Sequence, residues 1–283
     1  MKVSVIIPTL NAGATIRELL SRLASQSLLP VETLVIDSSS TDSTVEIAGK
    51  MGAKTIVIPQ SAFNHGGTRN QAAREAKGDI LAFMTQDALP FDNMMLENLT
   101  SRLIQPGVAA AFARHIPDRN ASLLETFLRE FNYPEEGSIK GIDDLKTYGI
   151  KTFFFSDACS AVRKDALADA GFFPEGVRAN EDMILAAKLI LGGHKIAYVP
   201  EARIIHSHDY SLLNQFGRYY NIGSSLRKNP WVLRYARPEG EGARFMKEQA
   251  TFVIKRKKYM LLPYIFLEAL AKYAGFRFGL IAG

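Results

Sequence analysis

Two apolar segments of the chain each end in a single aspartate. They are segments 31–37 and 80–87, which end at Asp37 and Asp87. In a parallel α/β sheet, ligands bind in the crevice at the carboxyl ends of the strands. A carboxylate at the end of each of two buried strands therefore predicts one shared site. The ligand that this arrangement favours is a nucleotide held together with a cation.

Further acidic and imidazole side chains lie in the second half of the chain. Glu181 and Asp182 begin the strongest helical pattern, although acidic residues in a first turn are also favoured by the helix dipole alone. His206 and His208 lie at the end of the last predicted strand, and strand alternation places both imidazoles on one side if the strand continues through them. Either imidazole is able to complete a cation site with Asp87.

A glycine-rich loop at 63–70 leads into a predicted helix. Backbone N–H groups at Gly66 and Gly67 suit a phosphate, and Arg69 adds a positive charge. A tight connection between two elements explains the glycines equally well. Asp37 has a similar pair of interpretations: it accepts hydrogen bonds from a base or ribose, or it caps the turn formed by the serines that follow it.

Alternating strands and helices in the first 114 residues indicate how these side chains are positioned. Strands are predicted at 3–7, 33–36, 55–58, 80–84 and 108–113, with helices at 14–25, 44–51, 68–76 and 91–103. This alternation is typical of a doubly wound parallel sheet.

The second half of the chain has a less regular pattern. It predicts a helix at 122–131, a surface excursion outside the sheet at 132–149, a strand at 152–156 and a helix at 164–170. A helix at 181–191 follows, with Asn180 as its N-cap and Gly192 and Gly193 as its stop. Strands are then predicted at 195–199 and 203–206, and helices from residue 211, broken at 229–230 and near 263.

The segments Ile6-Ile7-Pro8-Thr9-Leu10-Asn11 and 34–42 together resemble the N-terminal signature of the family 2 glycosyltransferases. The resemblance extends over residues 2–208. It implies an α/β fold of the glycosyltransferase A type, with a mostly parallel, Rossmann-like central sheet flanked by helices. We expect a catalytic domain at 1–210, with a nucleotide-binding half at 1–115 and an acceptor-binding half at 116–210. A helical, basic C-terminal extension is expected at 211–283.

The resemblance also implies roles for particular residues. The loops after the first two strands supply the nucleotide contacts Thr9, Asn11 and Asp37, while the glycine-rich loop contributes Gly66, Gly67 and Arg69. Thr85-Gln86-Asp87 stands where the family usually has Asp-x-Asp, so Thr85 replaces the first acid and Asp87 is the one carboxylate ligand left for the divalent cation, Mg²⁺ or Mn²⁺. His208, or else His206, completes the cation site.

The remaining implied roles concern the reaction itself. Asp182 is the general base that deprotonates an acceptor hydroxyl in an inverting transfer, and Glu181 positions the substrates. Asp157 directly follows the predicted strand at 152–156, so we expect it to position sugar hydroxyls of the donor or acceptor. Segments 63–70 and 85–88 resemble the rhamnose-transferring branch of the family, which implies a dTDP-rhamnose donor. The implied acceptor is a saccharide or lipid-linked saccharide in cell-surface polysaccharide assembly, such as O-antigen.

Three alternatives stay open at this point. A UDP-hexose or UDP-N-acetylhexosamine donor keeps the chemistry and changes the sugar. A nucleotidyltransferase shares a related sheet, but the chain has no lysine-bearing glycine-rich loop directly after its first strand. A non-catalytic, membrane-docking protein is disfavoured because Asp37, Asp87 and Asp182 are all present.

Positive charge is concentrated near the C-terminus. The chain has a net charge of +5, but residues 227–283 carry twelve Lys or Arg and four Glu, a balance of +8. The basic run 255–258 precedes an aromatic-rich apolar segment, which predicts contact with an anionic membrane surface. No nucleic-acid motif accompanies the charge, so we expect no nucleic-acid partner.

Cysteine content and the N-terminal segment bear on where the protein works. The single cysteine, Cys159, fits a reducing compartment, and the N-terminal apolar run is too short for a signal peptide. No apolar run has the roughly 18 residues that span a bilayer. We therefore expect a cytoplasmic protein, peripheral on the cytoplasmic face of a membrane if the predicted contact forms.

Overall fold

The computed structural model describes residues 1–236 and 240–283. Within these residues nine strands form one sheet: β1 Val3–Thr9, β2 Glu32–Asp37, β3 Lys54–Val57, β4 Ile80–Met84, β5 Leu89–Pro90, β6 Val108–Ile116, β7 Ser138–Lys140, β8 Cys159–Arg163 and β9 Lys195–Ile205.

Helices surround this sheet and form the C-terminal part of the chain. They are α1 Ile16–Ala24, α2 Thr44–Lys50, α3 His65–Glu75, α4 Met95–Ser101, α5 Leu123–Asn132, α6 Leu145–Tyr148, α7 Lys164–Asp169, α8 Glu181–Leu191, α9 Leu212–Lys228, α10 Trp231–Tyr235, α11 Glu241–Lys255 and α12 Leu262–Ala282. Short 3-10 helices lie at Gln60–Ala62, Arg102–Ile104, Ile142–Asp144, Gly149–Phe153 and Tyr259–Leu261.

The strand order is β3-β2-β1-β4-β8-β6-β9-β5, with β7 paired to β9. Strands β1, β2, β3, β4, β6 and β9 run in one direction, whereas β5, β7 and β8 run in the opposite direction. The predicted α/β fold with a mostly parallel sheet is confirmed. The carboxyl ends of β1, β2 and β4 meet at one edge, where Thr9 is the register partner of Asp37.

Both faces of the sheet are buried at its central strand β4. All five residues of β4 are buried, and they alternate between two hydrophobic clusters. Leu81 and Phe83 pack with α3 and α8, whereas Ala82 and Met84 pack with α1 and α4. A strand covered on both faces needs a continuous apolar run, and this is the pattern that the sequence shows at 80–84.

The predicted strand at 152–156 is wrong. The chain forms the 3-10 helix Gly149–Phe153 there, and the strand that enters the sheet is β8, which begins at Cys159. Burial of Phe153 and Phe155 in the core explains why this segment is apolar. A short apolar run indicates burial and does not distinguish a strand from another buried segment.

Three smaller predictions also need correction. The expected excursion at 132–149 contains β7, whose residues pair antiparallel with β9. The two strands expected at 195–199 and 203–206 are one strand, β9, with an irregularity in its pairing with β6 between Val199 and Arg203. Asn180 does occupy the N-cap position of α8, but it has a left-handed φ of 65° and its side chain caps no N–H group.

The described residues of the extension after residue 211 form α9 to α12 and the 3-10 helix Tyr259–Leu261, joined by short connections, and residues 237–239 lie outside the described residues. Both predicted breaks are found, because α9 ends at Lys228 and Pro263 lies in the first turn of α12, where its missing N–H is tolerated. Helices α9 and α12 pack closely: a Cβ atom on Gly279 would lie 2.1 Å from the carbonyl oxygen of Tyr220. None of the described helices combines the length and the hydrophobicity that are needed to span a bilayer.

The domain boundaries at 115 and 210 stay a prediction.

Candidate active site

The ends of β1 and β2 form one corner of the site. Thr9 Oγ1 donates a hydrogen bond of 2.8 Å to Asp37 Oδ1, and the Ser40 N–H group donates one of 2.7 Å to Asp37 Oδ2. Ser40 Oγ donates a third, of 2.6 Å. Asp37 is fully buried, so its carboxylate organises the turn that follows β2. Its contact with a nucleotide stays a prediction.

Asn11 joins this turn to the end of β1. Its N–H group donates a hydrogen bond to Ser40 Oγ at 2.7 Å, and its Oδ1 atom accepts one from the Thr41 N–H group at 2.9 Å. Asn11 has a φ of 50°, in the left-handed region that asparagine tolerates better than most residues. The structure therefore brings Thr9, Asn11 and Asp37 together, as the sequence predicts.

Asp87, His206 and His208 converge on one point. His206 Nε2 lies 3.5 Å from Asp87 Oδ1, and His208 Nε2 lies 3.2 Å from Asp87 Oδ2. The two Nε2 atoms are 3.0 Å apart. The histidines therefore lie on one side, as predicted, although β9 ends at Ile205 and strand alternation does not extend to either of them. Burial disfavours the charged form of Asp87, but its contacts with the two histidines hold its pKa below the usual range. The three predicted cation ligands thus form one cluster.

A second charged cluster forms around Arg69, which is buried in α3. Its Nε atom lies 3.0 Å from Asp157 Oδ2, without the alignment of a hydrogen bond, and its Nη1 atom lies 3.6 Å from Glu181 Oε1. Nη1 also donates a hydrogen bond of 2.8 Å to the carbonyl oxygen of His65. Arg69 therefore offsets part of the negative charge of Asp157 and Glu181, and its predicted contact with a diphosphate stays a prediction.

These neighbours change the protonation of the acids. Burial raises the pKa of Asp157 to about 6, against the opposing effect of the Arg69 guanidinium. Asp182 keeps some exposed surface, but the surrounding protein removes enough water to raise its pKa well above the ordinary value. The carboxylates of Asp157 and Glu181 add to that shift. A carboxylate with a raised pKa is a stronger base than a free aspartate.

Gly66 and Gly67 lie in the first turn of α3. A Cβ atom on Gly66 would lie 2.1 Å from the carbonyl oxygen of Pro174, so this glycine is required for packing. The Gly67 N–H group donates a hydrogen bond of 2.8 Å to Asn64 Oδ1, which caps the helix. Close packing and helix capping are therefore sufficient to explain the two glycines. Their contact with a phosphate stays a prediction.

Comparison with known proteins decides the family. The family described as "Glycosyl transferase family 2" matches residues 4–171. The chain belongs to that family. It is a glycosyltransferase.

Two relatives match along nearly the whole chain. The chain is 37% identical over 282 residues to "O-antigen chain rhamnosyltransferase RfbN" of Salmonella typhimurium, covering 99% of this chain and 90% of the relative. It is 39% identical over 279 residues to "O-antigen chain rhamnosyltransferase WbaN" of Salmonella anatum, covering 98% and 88%.

A solved structure matches the fold of this glycosyltransferase. It is the mannosyltransferase PcManGT from Pyrobaculum calidifontis in complex with GDP-Man and Mn²⁺, at a TM-score of 0.61 and 18% identity. The match covers 96% of this chain and 87% of that chain. It confirms the predicted glycosyltransferase A fold.

The cluster of Asp87, His206 and His208 suits a divalent cation. Neighbouring ligands of an octahedral ion with bonds of about 2.1 Å are about 3 Å apart, close to the separations between these donor atoms. Carboxylate oxygen suits Mg²⁺ and Mn²⁺ alike, whereas two imidazole nitrogens favour a transition metal over Mg²⁺. The donor set therefore fits Mn²⁺ better than Mg²⁺.

Sequence reasoning missed the residues behind the histidines. His115, at the end of β6, is buried between Arg129 and His206 and stacks on Tyr133 with ring centroids 4.0 Å apart. Glu125 and Arg129 form a buried ion pair of 2.6 Å on α5. The one available signal was their spacing of four residues on an amphipathic helix, which also fits an ordinary surface pair.

Proposed function

We propose that this glycosyltransferase transfers rhamnose from dTDP-rhamnose, with inversion, to a saccharide acceptor in O-antigen synthesis. The observation that carries the chemistry is the acidic cluster, in which Asp182 has a raised pKa beside Asp157 and Glu181. The choice of sugar and of pathway rests on the two Salmonella relatives, whose names state both.

In the proposed reaction, Asp182 accepts the proton of the acceptor hydroxyl. The acceptor oxygen forms a bond to the anomeric carbon while the bond from that carbon to the diphosphate oxygen breaks, so the configuration inverts. The proton stays on the Asp182 carboxylate until solvent removes it. The raised pKa helps because a general base works best when its pKa is near the working pH.

Arg69 acts by positioning in this proposal. Its ion pair with Asp157 at 3.0 Å and its contact with Glu181 at 3.6 Å hold both carboxylates in place. Each carboxylate has a further oxygen with which to accept a hydrogen bond from a sugar hydroxyl. The net negative charge of the cluster also favours a developing positive charge at the anomeric carbon.

Asp87, His206 and His208 are the proposed ligands of a divalent cation. When bound, Mn²⁺ or Mg²⁺ would place positive charge against the donor diphosphate and so stabilise the leaving group. Thr9, Asn11 and Asp37 are proposed to contact the nucleotide at the neighbouring strand ends. We also propose that the protein works at the cytoplasmic face of a membrane on a lipid-linked saccharide.

A donor panel with matched variants tests the proposal. The protein is incubated with dTDP-rhamnose, UDP-glucose or UDP-N-acetylglucosamine, and release of nucleoside diphosphate and of pyrophosphate is measured. We expect dTDP-rhamnose to give the highest kcat/KM, by about 10²-fold, because an apolar subsite for a methyl group rejects a hydroxymethyl group only modestly.

The variants separate the parts of the proposal. Asp182→Asn should lower transfer by about 10²-fold or more while donor binding is kept, whereas Glu181→Gln should lose much less. If a UDP sugar gives the highest kcat/KM, the donor assignment is wrong and the base assignment stands. Release of pyrophosphate would identify a nucleotidyltransferase and overturn both.

A further inference from the structure

The outer face of α12 is apolar and exposed. Phe266, Leu270, Tyr273 and Ile281 have 63, 52, 65 and 68% of their surface exposed. Their successive spacings of four, three and eight residues place them on one stripe of the helix. Arg277, which is also exposed, lies on the same stripe between Tyr273 and Ile281. An exposed stripe of mainly apolar residues on a surface helix indicates a contact with something outside the chain.

Packing within the chain does not account for this stripe. The opposite face of α12 packs against α9 through Gly275 and Gly279, where added Cβ atoms would lie 2.3 and 2.1 Å from backbone oxygens of α9. That close approach fixes the rotation of α12 about its axis. The helix therefore cannot turn its apolar stripe inward without losing its contact with α9.

Basic residues adjoin the N-terminal end of the stripe. The segment 255–258 reads Lys-Arg-Lys-Lys, and all four residues are exposed. Tyr259 and Met260 follow, with 56 and 91% of their surface exposed. Cationic residues beside exposed aromatic and aliphatic side chains are complementary to anionic headgroups above an apolar layer.

We propose that the outer face of α12 and the segment 255–258 form a docking surface for an anionic lipid bilayer. The helix would lie in the plane of the interface, because no described helix is apolar enough to cross a membrane. Membrane binding is argued from these residues alone. Only its purpose, which is to bring the enzyme to a lipid-linked acceptor, rests on the proposed function.

The docking surface also fixes how near the membrane lies to the active site. The inner face of α12 carries Tyr264 and Glu268, which line a small polar cavity together with His208, a proposed cation ligand. One helix, about 10–12 Å in diameter, thus separates the bilayer from that cavity. A saccharide whose lipid stays in the bilayer has only this distance to cover.

Vesicle binding tests the docking surface without turnover. The full chain is floated with phosphatidylglycerol or phosphatidylcholine vesicles at low and high salt. A triple variant, F266S with L270S and Y273S, removes the stripe, and a second variant replaces Lys255, Arg256, Lys257 and Lys258 by Gln. The matched control is Leu29→Ser with Ile104→Ser, because these residues are 61 and 72% exposed outside α12.

We expect the wild type and the control to bind anionic vesicles at least tenfold more strongly than neutral ones at low salt. The triple variant should lose at least tenfold in partitioning at every salt concentration, whereas the glutamine variant should lose only the salt-sensitive part. Transfer to a soluble acceptor should be unchanged in all of them, so a failure of the proposed function would show separately.

Two results would overturn the docking surface. One is failure of the wild type to bind phosphatidylglycerol vesicles at low salt. The other is a wild-type dimer in light scattering that the triple variant converts to a monomer, because a second copy of the chain would then cover the stripe.

A different observation, at the cation cluster, carries a second inference. His115 Nδ1 lies 3.1 Å from Arg129 Nη1 and 3.3 Å from His206 Nδ1. A guanidinium only donates, so His115 Nδ1 accepts from Arg129. A proton on His206 Nδ1 is then favoured, because without it two nitrogen lone pairs would face each other at 3.3 Å. His206 Nε2 is then left with its lone pair directed at Asp87 and His208.

We infer that Arg129 is a positioning residue, which sets the tautomer of His206 through His115. The same α5 pair also places His208, because Glu125 Oε1 accepts hydrogen bonds from Arg129 Nε at 2.6 Å and from the His208 N–H group at 3.1 Å. Groups that orient metal ligands in this way typically change metal affinity by 10–100-fold.

The test compares two buried ion pairs of the same spacing. Arg129→Met and His115→Phe remove the contact with His206, whereas Lys272→Met breaks the Lys272–Glu268 pair of 2.9 Å on α12. Histidine ¹⁵N NMR of the metal-free protein reports the tautomer of His206, and electron paramagnetic resonance reports the Mn²⁺ dissociation constant.

We expect the proton on Nδ1 of His206 in the wild type and in Lys272→Met. Both His115→Phe and Arg129→Met should lose this preference and bind Mn²⁺ at least tenfold more weakly. His115→Phe keeps a ring stacked on Tyr133, so it gives a folded comparison if Arg129→Met unfolds. A wild-type proton on Nε2, or an unchanged tautomer in His115→Phe, would refute the inference whatever the Mn²⁺ affinity.

Discussion

Two neighbouring glycines in α3 should respond in opposite ways to the same substitution. A Cβ atom on Gly66 would lie 2.1 Å from the carbonyl oxygen of Pro174 and 3.1 Å from Phe173 Cβ. On Gly67 the nearest atom would be Asn64 Oδ1 at 3.4 Å, an ordinary contact. Gly66→Ala must therefore displace backbone by about 1 Å, whereas Gly67→Ala displaces nothing.

The two free energies follow from these distances. Alanine is favoured over glycine by up to about 1 kcal/mol in a helix, so Gly67→Ala should leave the free energy of unfolding unchanged or raise it by that amount. Gly66→Ala has the same advantage, but overpacking costs about 1–3 kcal/mol. It also strains the two 3.0 Å hydrogen bonds between Asn70 and the backbone of Phe173, each contributing about 1 kcal/mol. We expect the variants to differ by about 2–4 kcal/mol.

Urea unfolding followed by circular dichroism measures this difference, and turnover of each folded variant accompanies it. Gly66→Ala should also lower turnover, because a shift of α3 moves Arg69 away from Asp157 and Glu181. Equal stability of the two variants would refute the packing argument. The glycines would then need a ligand-binding explanation.

Three further predictions concern the charged clusters. Asp182→Asn should lower kcat by about 10²-fold or more with an unchanged KM for the donor, because a positioned base is lost. Steady-state kinetics measures both constants. Wild-type turnover in this variant would show that Asp182 is not the base. Because the pKa of Asp182 is raised, kcat/KM should fall tenfold for each pH unit below that pKa. Glu181→Gln removes a negative charge beside Asp182, so it should shift this fall in kcat/KM to lower pH. An unchanged pH dependence in Glu181→Gln would contradict the coupling between the two carboxylates. Asp87→Ala should raise the Mn²⁺ dissociation constant at least tenfold in titration calorimetry, and full activity in excess chelator would reject the cation.

Asp157 links the active site to stability. Its pKa is raised from 3.8 to about 6 on folding, so the folded state holds more protons than the unfolded state between those values. Its contribution to stability is complete below about pH 4 and is lost as the pH rises through 6. Asp157→Asn should flatten the pH dependence of the free energy of unfolding in this window, and an unchanged slope would place the titrating group elsewhere.

The parts of the fold that the sequence predicted are those with strong periodicity. Segments 80–84 and 181–191 match β4 and α8 residue for residue, because a strand buried on both faces and a helix that ends at two glycines each have a clear pattern. The short elements β5 and β7 were missed, since two or three residues at a sheet edge have no pattern of their own.

The cation ligands were predictable, whereas the partners of Arg69 were not. Asp87 and His206 each follow a strand, and strand ends of the same direction meet at one edge. Arg69 was assigned to phosphate because it lies at a helix start, but its carboxylate partners are Asp157 and Glu181, about 90 and 110 residues further along the chain. Pairing over such separations depends on tertiary packing, which local patterns do not contain.

Asp157 was predicted as a site residue because of a strand that does not form. The sequence suggested that a strand at 152–156 ends just before it, but the structure places it ahead of β8. β8 runs antiparallel to β4, with Cys159 paired to Met84, so the start of β8 lies at the same edge as the end of β4. A residue that follows a parallel strand and a residue that precedes an antiparallel strand both reach the edge where Asp87 lies. The direction of β8 therefore explains why Asp157 joins the site although the strand that suggested it does not exist.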